Sequence, residues 1–323
     1  MRVLHLITST RSFFEEQIAV LEDRGVRCDV LGAPGEYTAE SPRTPFDYVR
    51  MYRRVLQAVH RNEYDIVHAH YGLIGPLALA QPKRPVIVSL WGTDVMSDSG
   101  WLRAVSRLGC NYADATIVPS PAMTDAVPTD YALIPFGVDL NRFRPMSRSR
   151  AREHLGWSGE HPVAIFPYDP SRSEKNYDLA ERVIAESALD IELRVVTDVP
   201  YTEMPYYLNA SDVLLVTSHR ESGPMTVKEA IACNLPIVST DVGFVRAVCE
   251  GVRNCHVATD RQDLVRGLEA VVADGRASNG RSRVDGLGLD AMGDRLLGLY
   301  RRVLEERTGK PVTSGMTADL HGH

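Results

Sequence analysis

Short apolar runs alternate with stretches of helical spacing along most of the chain. Residues 2–8, 26–31, 66–69, 86–90 and 115–118 are apolar runs of strand length. Between them, residues 13–22, 46–61, 74–80 and 101–108 carry apolar positions three and four apart, the period of an amphipathic helix. In FDYVRMYRRVLQAVHR (46–61), Tyr48, Met51, Tyr52, Val55 and Val59 fall on one stripe. The alternation then restarts, with strands at 163–166, 191–196, 213–216 and 236–239 and helices at 179–187, 204–209, from about 225, and 261–271. Strands that are apolar throughout and separated by helices predict parallel sheets covered on both faces. A last amphipathic helix, 289–305, aligns Leu296, Leu297, Tyr300, Val303 and Leu304.

Between the two series lies PFGVDLNRFRPMSRSRA (135–151), with Pro135, Gly137, Pro145 and little periodicity, which reads as the connection between two domains. The division expected is 1–140, 141–288, a closing helix 289–307 and a tail, 308–323, whose Gly, Ser and Thr content predicts disorder. Open parallel sheets bind ligands beyond the carboxyl ends of their strands, so two in series place a site in the cleft between them.

The length of 323 residues suits two cores rather than one, and 44% apolar against 24% charged residues excludes a disordered chain. A net charge of −6 gives no reason to expect nucleic acid. MRVLHLITST lacks the apolar core and cleavage site of a signal peptide, and no apolar run approaches about 20 residues, so a cytoplasmic protein is expected, at most peripheral at the inner face of the membrane. Arg50, Arg53, Arg54 and Arg61 on the 46–61 helix would suit an anionic membrane, but solvated basic faces of this kind are more common. The five cysteines, odd in number and without a C-x-x-C spacing, read as reduced structural thiols with no metal cluster built on them.

Two segments carry chemistry. ESGPMTVKEA (221–230) follows the run DVLLVTS and opens a helix, with Gly223 in the turn and Pro224 at the first helical position. Val227 and Ile231 face the core, so Lys228 and Glu229 face away from it. The free N–H groups of the first turn favour an anion. Glu221 and Glu229 beside such a site are costly near a negative ligand unless they bind its neutral hydroxyls, which a sugar nucleotide supplies. PSRSEKN (170–176) places Arg172 and Lys175 three apart in a loop after a strand, able to reach one point in the cleft and to neutralise a diphosphate. Taken singly, each segment reads more economically as a capped, solvated helix or an ordinary basic loop.

IPFGVDLNRFRP (134–145) is similar to the "PNGVD…F.P" signature of the family 4 retaining glycosyltransferases, with Phe136 in the place of the usual Asn. ESGPMTVKEAIACNLPIVSTDVG (221–243) resembles the E-x7-E region of that family and the strand after it, and SRSEKN resembles its basic phosphate-binding loop. The order and spacing match over about residues 1–305. The resemblance implies the GT-B fold: two Rossmann-like α/β domains facing across a cleft, the last helix crossing back to the first. It also implies a retaining, metal-independent transfer from a nucleotide-diphosphate sugar, UDP- or GDP-linked by preference, to a saccharide or lipid-linked acceptor. No other cofactor and no metal are implied. By the same resemblance Glu221 holds the donor sugar and Glu229 the ribose. Arg172 and Lys175 clamp the diphosphate, Gly223, Pro224, Met225 and Thr226 form the turn against it, and Val199 and Pro200 lie where the base rests.

The chain departs from the family pattern at two places. The loop after the first strand reads STRSFF (9–14), without glycine, where Ser9, Thr10 and Arg11 could approach a phosphate or the acceptor. In LWGTDV (90–95), Trp91 stands where many members have His, leaving Asp94 to help on the acceptor side. His68 and His70 share a strand face by their i, i+2 spacing. With no third ligand following, they read as polar groups lining the cleft, His70 on the acceptor side. Two rivals are a sugar-nucleotide-binding protein that has lost activity and an epimerase or phosphorylase of the same fold, the latter disfavoured by the E-x7-E spacing. A dinucleotide dehydrogenase is disfavoured by the lack of G-x-G-x-x-G after either first strand.

Overall fold

The computed structural model describes residues 1–35, 43–127, 130–159 and 161–309, so the expected disorder of the tail beyond residue 309 lies outside the described residues. The first sheet is built from β1 (Arg2–Ile7), β2 (Arg27–Gly32), β3 (Ile66–His70), β4 (Val86–Ser89), β5 (Ala115–Val118) and β6 (Ala132–Leu133), all parallel, in the order β2-β1-β3-β4-β5-β6. The second contains β7 (Val163–Phe166), β8 (Glu192–Val195), β9 (Val213–Val216), β10 (Ile237–Thr240) and β11 (Cys255–Ala258), also parallel, in the order β11-β10-β9-β7-β8.

Alternation along β1 sends its side chains to two cores. Leu4 and Leu6 join Val67, Val86 and Val88 under Met51, Val55 and Val59 of α2 (Pro45–Arg61), beside α3 (Gly75–Leu79) and α5 (Gly100–Tyr112). Val3 joins Ile66, Ile87 and Ile117 on the other face. There α1 (Ser12–Asp23) contributes Leu21, and the last helix, Leu289–Thr308, contributes Met292, Leu296, Leu299, Tyr300 and Val303. The chain therefore finishes on the first sheet. Arg24 fixes that return by pairing with Asp290 at 3.1 Å and Asp294 at 2.8 Å.

The second sheet likewise has two cores. One packs α8 (Met204–Ala210) and α9 (Met225–Ala232), the other α7 (Tyr177–Glu186) and α11 (Arg261–Asp274). Five elements escaped the periodicity: α4 (Thr93–Met96), α6 (Arg148–Leu155), α10 (Val245–Cys249), and the strands β6 and β11. Each is short or of mixed polarity. The segment read as a connection is thus partly helical. Ser147 caps α6 by accepting from the Arg150 amide at 3.2 Å, and Phe143 is buried in the second core. The closing helix, Leu289–Thr308, is α12. Among the described residues no helix is long and apolar enough to cross a membrane.

Candidate active site

The carboxyl ends of both sheets open onto one cavity of about 640 Å³. Arg11, Trp91, Thr93 and Phe136 line it from the first side, and Arg172, Lys175, Glu221, Gly223 and Met225 from the second. The basic loop after β7 tightens into a 3-10 turn, Ser173–Lys175, and ends at Asn176 with φ 54°. Thr217, just past β9, locks this loop by donating from its hydroxyl to the carbonyls of Lys175 (3.1 Å) and Asn176 (2.9 Å). The two motifs are thereby fixed side by side.

The Lys175 ammonium donates to Glu221 Oε1 at 2.6 Å, and Ser218 Oγ donates to the same oxygen at 2.7 Å. The pair is buried, with side-chain exposures of 7% and 10%. Lys175 also lies 4.1 Å above the Tyr168 ring, a cation–π contact that strengthens with desolvation. Arg172 is more exposed and rests on Glu174, 2.8 and 2.6 Å from its Nε and second terminal nitrogen. Both cations border the same cavity, and each sits on a carboxylate that a ligand anion would compete with.

Pro224 caps α9 rather than opening it, and no side chain caps the first turn. Its amides are left to a ligand or water. Lys228 and Glu229 turn away from Val227 and Ile231, yet neither is solvated: they are 1% and 3% exposed, in the junction between the two halves. Lys228 Nζ donates to the Phe136 carbonyl at 2.6 Å, and burial pulls its pKa down to about 7. The Tyr201 hydroxyl donates to Glu229 Oε1 at 2.7 Å, and burial lifts the Glu229 carboxyl to about 7. Val199 and Pro200 precede Tyr201, so that hydrogen bond brings their segment next to Glu229; Val199 also packs on the second core.

On the first side, Gly92 has φ 120°, and a Cβ there would lie 2.5 Å from the Ser222 side chain. Only glycine fits this close crossing, which Ser222 Oγ ties by donating to the Trp91 carbonyl at 3.1 Å. Asp94 shapes the turn. It is fully buried and accepts from the amides of Gly72 (3.0 Å), Trp91 (2.9 Å) and Gly92 (2.8 Å), so it positions backbone instead of facing an acceptor. Trp91 and Arg11 do line the cavity, where Phe13 packs edge-on to Trp91 (5.0 Å) and tilted against Phe136 (4.5 Å).

The histidines correct the sequence reading. His68 and His70 do not line the cleft: they are buried with His5 of β1, the third imidazole that spacing alone did not supply. The donor atoms of the three lie within 4.8 Å of one another. His5 Nδ1 and His70 Nε2 share a hydrogen bond of 2.9 Å. His68 bonds the Tyr300 hydroxyl (2.6 Å) and Ser89 Oγ (2.7 Å), which ties α12 to the first sheet. Burial holds His5 at about 3 and the other two well below the usual histidine value, so all three are neutral. The β1–β3 pairing that sets His5 opposite His68 was the signal that could have found this cluster.

Two family descriptions match the chain: "Glycosyl transferase 4-like domain" over residues 3–135 and "Glycosyl transferases group 1" over residues 173–283. A D-inositol 3-phosphate glycosyltransferase of Catenulispora acidiphila is 26% identical over 90% of this chain and 80% of its own length. A putative teichuronic acid biosynthesis glycosyltransferase of Bacillus subtilis is 25% identical over 62% of this chain and 61% of its own. Among solved structures, sucrose-phosphate synthase from Thermosynechococcus elongatus superposes with a TM-score of 0.78 at 16% identity, over 95% of this chain and all of the other. Anabaena HepE in complex with UDP gives 0.71 at 16% identity, over 93% and 99%. Two facing parallel sheets with α12 returned to the first, matched over 95% and 93% of the chain by these structures, have the GT-B fold. With both halves matched by these family descriptions, the chain belongs to the group 1 glycosyltransferases of family 4.

Proposed function

We infer that the protein is a retaining, metal-independent transferase that moves a sugar from a nucleotide-diphosphate sugar to a saccharide or lipid-linked acceptor. The observation carrying this reading is the buried Lys175–Glu221 pair, 2.6 Å apart and bordering the same cavity as Arg172 and the uncapped start of α9. As the bond from anomeric carbon to diphosphate breaks, negative charge grows on the departing phosphate. Arg172, Lys175 and a helix terminus of roughly +0.5 charge neutralise it where water is scarce. The acceptor oxygen forms the new bond to that carbon, and its proton leaves with the diphosphate. Glu221, held by Lys175 and Ser218, faces the sugar, and Glu229 accepts from ribose hydroxyls. The chain contains no D-x-D sequence to seat a cation, which favours neutralisation by these side chains. HepE has been solved with UDP, with UDP and glucose, and with UDP-glucose, which supports a UDP-sugar as the first donor to try.

The test is a thermal-shift screen of UDP, GDP and ADP and their sugars. A nucleoside diphosphate at 100 times its dissociation constant should stabilise the fold by about 2.7 kcal/mol. If none shifts melting at millimolar concentration, the donor site is wrongly placed.

A further inference from the structure

The two sides of the donor cavity differ in chemistry. The second side carries most of the charge, with Arg172, Lys175 and Glu221 beside Glu174 and Arg220. The first side is largely aromatic, built from Phe13, Trp91 and Phe136. The polar side chains that share it, Arg11 and Thr93, are exposed. Phe13 lies in the first turn of α1, Trp91 in the turn after β4, and Phe136 in the segment after β6. Phe13 meets the Trp91 ring edge-on at 5.0 Å and the Phe136 ring at 4.5 Å, so the three form one wall.

These are also the places where the sequence departs from the family pattern. Phe136 stands for Asn, Trp91 for His, and Phe13 lies in the loop that lacks glycine. Departures far apart in the chain therefore meet on one surface of the cavity, and two of the three exchange a polar side chain for an aromatic one. The backbone beneath that surface is fixed. Asp94 accepts from the Trp91 amide at 2.9 Å, Ser222 Oγ donates to the Trp91 carbonyl at 3.1 Å, and Lys228 donates to the Phe136 carbonyl at 2.6 Å. Trp91 Nε1 is buried and has no hydrogen-bond partner among the described residues, so the indole shows the cavity carbon and no donor.

A sugar that spans this cavity meets charged and hydrogen-bonding groups on one side and ring carbon on the other. A hydroxyl pressed against ring carbon gives up its water and gains no partner, whereas a methyl group there is buried favourably. Removing a hydroxyl from a hexose leaves a methyl group only at the exocyclic carbon, which also projects furthest from the ring. We propose that Phe13, Trp91 and Phe136 set the class of donor, and that it is a nucleotide-linked 6-deoxyhexose, its methyl group on this wall and its diphosphate at Arg172 and Lys175. This rests on the transferase reading above, to which it adds the sugar. The discrimination has a ceiling, because an apolar pocket rejects an added hydroxyl by only about a hundredfold.

The experiment is calorimetric titration of the full chain with matched donors. Glucose and 6-deoxyglucose, and mannose and 6-deoxymannose, are compared as adducts of whichever nucleoside diphosphate binds, UDP, GDP or ADP. In at least one pair the 6-deoxy donor is expected to bind roughly ten- to a hundredfold more tightly than its parent hexose. Trp91→His and Phe136→Asn, made singly, put back the polar side chains of the family pattern. Each should narrow that ratio chiefly by tightening the hexose donor, a gain that misfolding cannot produce. The free nucleoside diphosphate, titrated into each variant, checks that its donor site is intact. Equal affinity within both pairs, tighter binding of the hexose, or a wild-type ratio in both variants overturns the proposal. If a nucleoside diphosphate binds and neither pair is distinguished, the assignment of the sugar falls by itself; if no nucleoside diphosphate binds, it is the transferase reading that falls.

Discussion

Tyr201 and Glu229 share a 2.7 Å hydrogen bond in the junction between the two halves, and it is made to a carboxyl that burial has lifted to about 7. A carboxylate that accepts ribose hydroxyls must be ionised, while its present surroundings favour the protonated form. Nucleoside diphosphate binding is therefore expected to strengthen as pH rises from 6 to 8. Glu229→Gln should flatten that profile and weaken binding. Glu221→Ala should leave nucleotide binding nearly intact and reduce transfer. Calorimetric titration of both variants across this range checks the division of roles; equal effects on free nucleotide contradict it.

The clamp residues differ in what their loss leaves behind. Arg172 is exposed and rests on Glu174, so Arg172→Ala should keep the fold. It should lower turnover roughly ten- to a hundredfold, the worth of one charge-assisted hydrogen bond. Lys175→Ala also strands the buried Glu221 carboxylate, and breaking such a pair costs about 3–5 kcal/mol. Lower melting with Lys175→Ala, and unchanged melting with Arg172→Ala, is the expected pattern. Assays in excess EDTA should retain wild-type activity; loss on chelation that Mg²⁺ or Mn²⁺ restores would reject neutralisation by side chains.

The three buried histidines make acid stability predictable. His5 is held near 3 against an ordinary value of 6.5, so the unfolded chain takes up a proton that the folded chain refuses. His68 and His70 shift in the same direction. Stability is thus complete above about pH 6.5 and falls as pH drops toward 3. Urea unfolding at pH 7 and pH 5 should show the loss, and His5→Phe should lessen it. An unchanged midpoint between the two pH values would show that the cluster is not neutral in the fold.

Gly92 and Ser222 meet where the halves cross. Gly92→Ala puts a Cβ 2.5 Å from Ser222 at φ 120°, so the variant should melt lower by an amount equivalent to about 1–3 kcal/mol and widen the cleft in small-angle scattering. Ser222→Ala removes only one hydrogen bond and should change both far less.

Much of this was legible in the sequence where periodicity was long. Strands β7 and β9 are apolar, and β3 and β4 buried, along their whole length because both faces are covered; β1 is buried at all but Arg2, and α2 shows its stripe over 17 residues. α6 and β11 were missed because an eight-residue helix with six polar residues, capped by Ser147, and a four-residue edge strand carry too little pattern. At the site, Glu221, Arg172 and Lys175 come together as their motifs suggested, since each follows a strand end that the parallel sheet lines up. The partners of Glu229 and Lys228 were not legible. Tyr201 lies in a loop, and the Phe136 carbonyl is backbone in the other half; spacing along one segment reports neither. Asp94 and His70 were read as facing an acceptor because polarity at a strand end looks the same whether a side chain meets solvent or is satisfied inside.

The central claim is transfer of a sugar from a nucleotide diphosphate with retained configuration. Its most direct measurement is proton NMR of the anomeric signals as UDP-, GDP- and ADP-sugars are turned over by the wild-type protein and by Glu221→Gln. The account predicts that one donor is consumed, that the new anomeric signal has the donor's configuration before any mutarotation, and that Glu221→Gln is much slower. A product of inverted configuration, or a protein that binds nucleoside diphosphate yet consumes no donor with any acceptor offered, would contradict it.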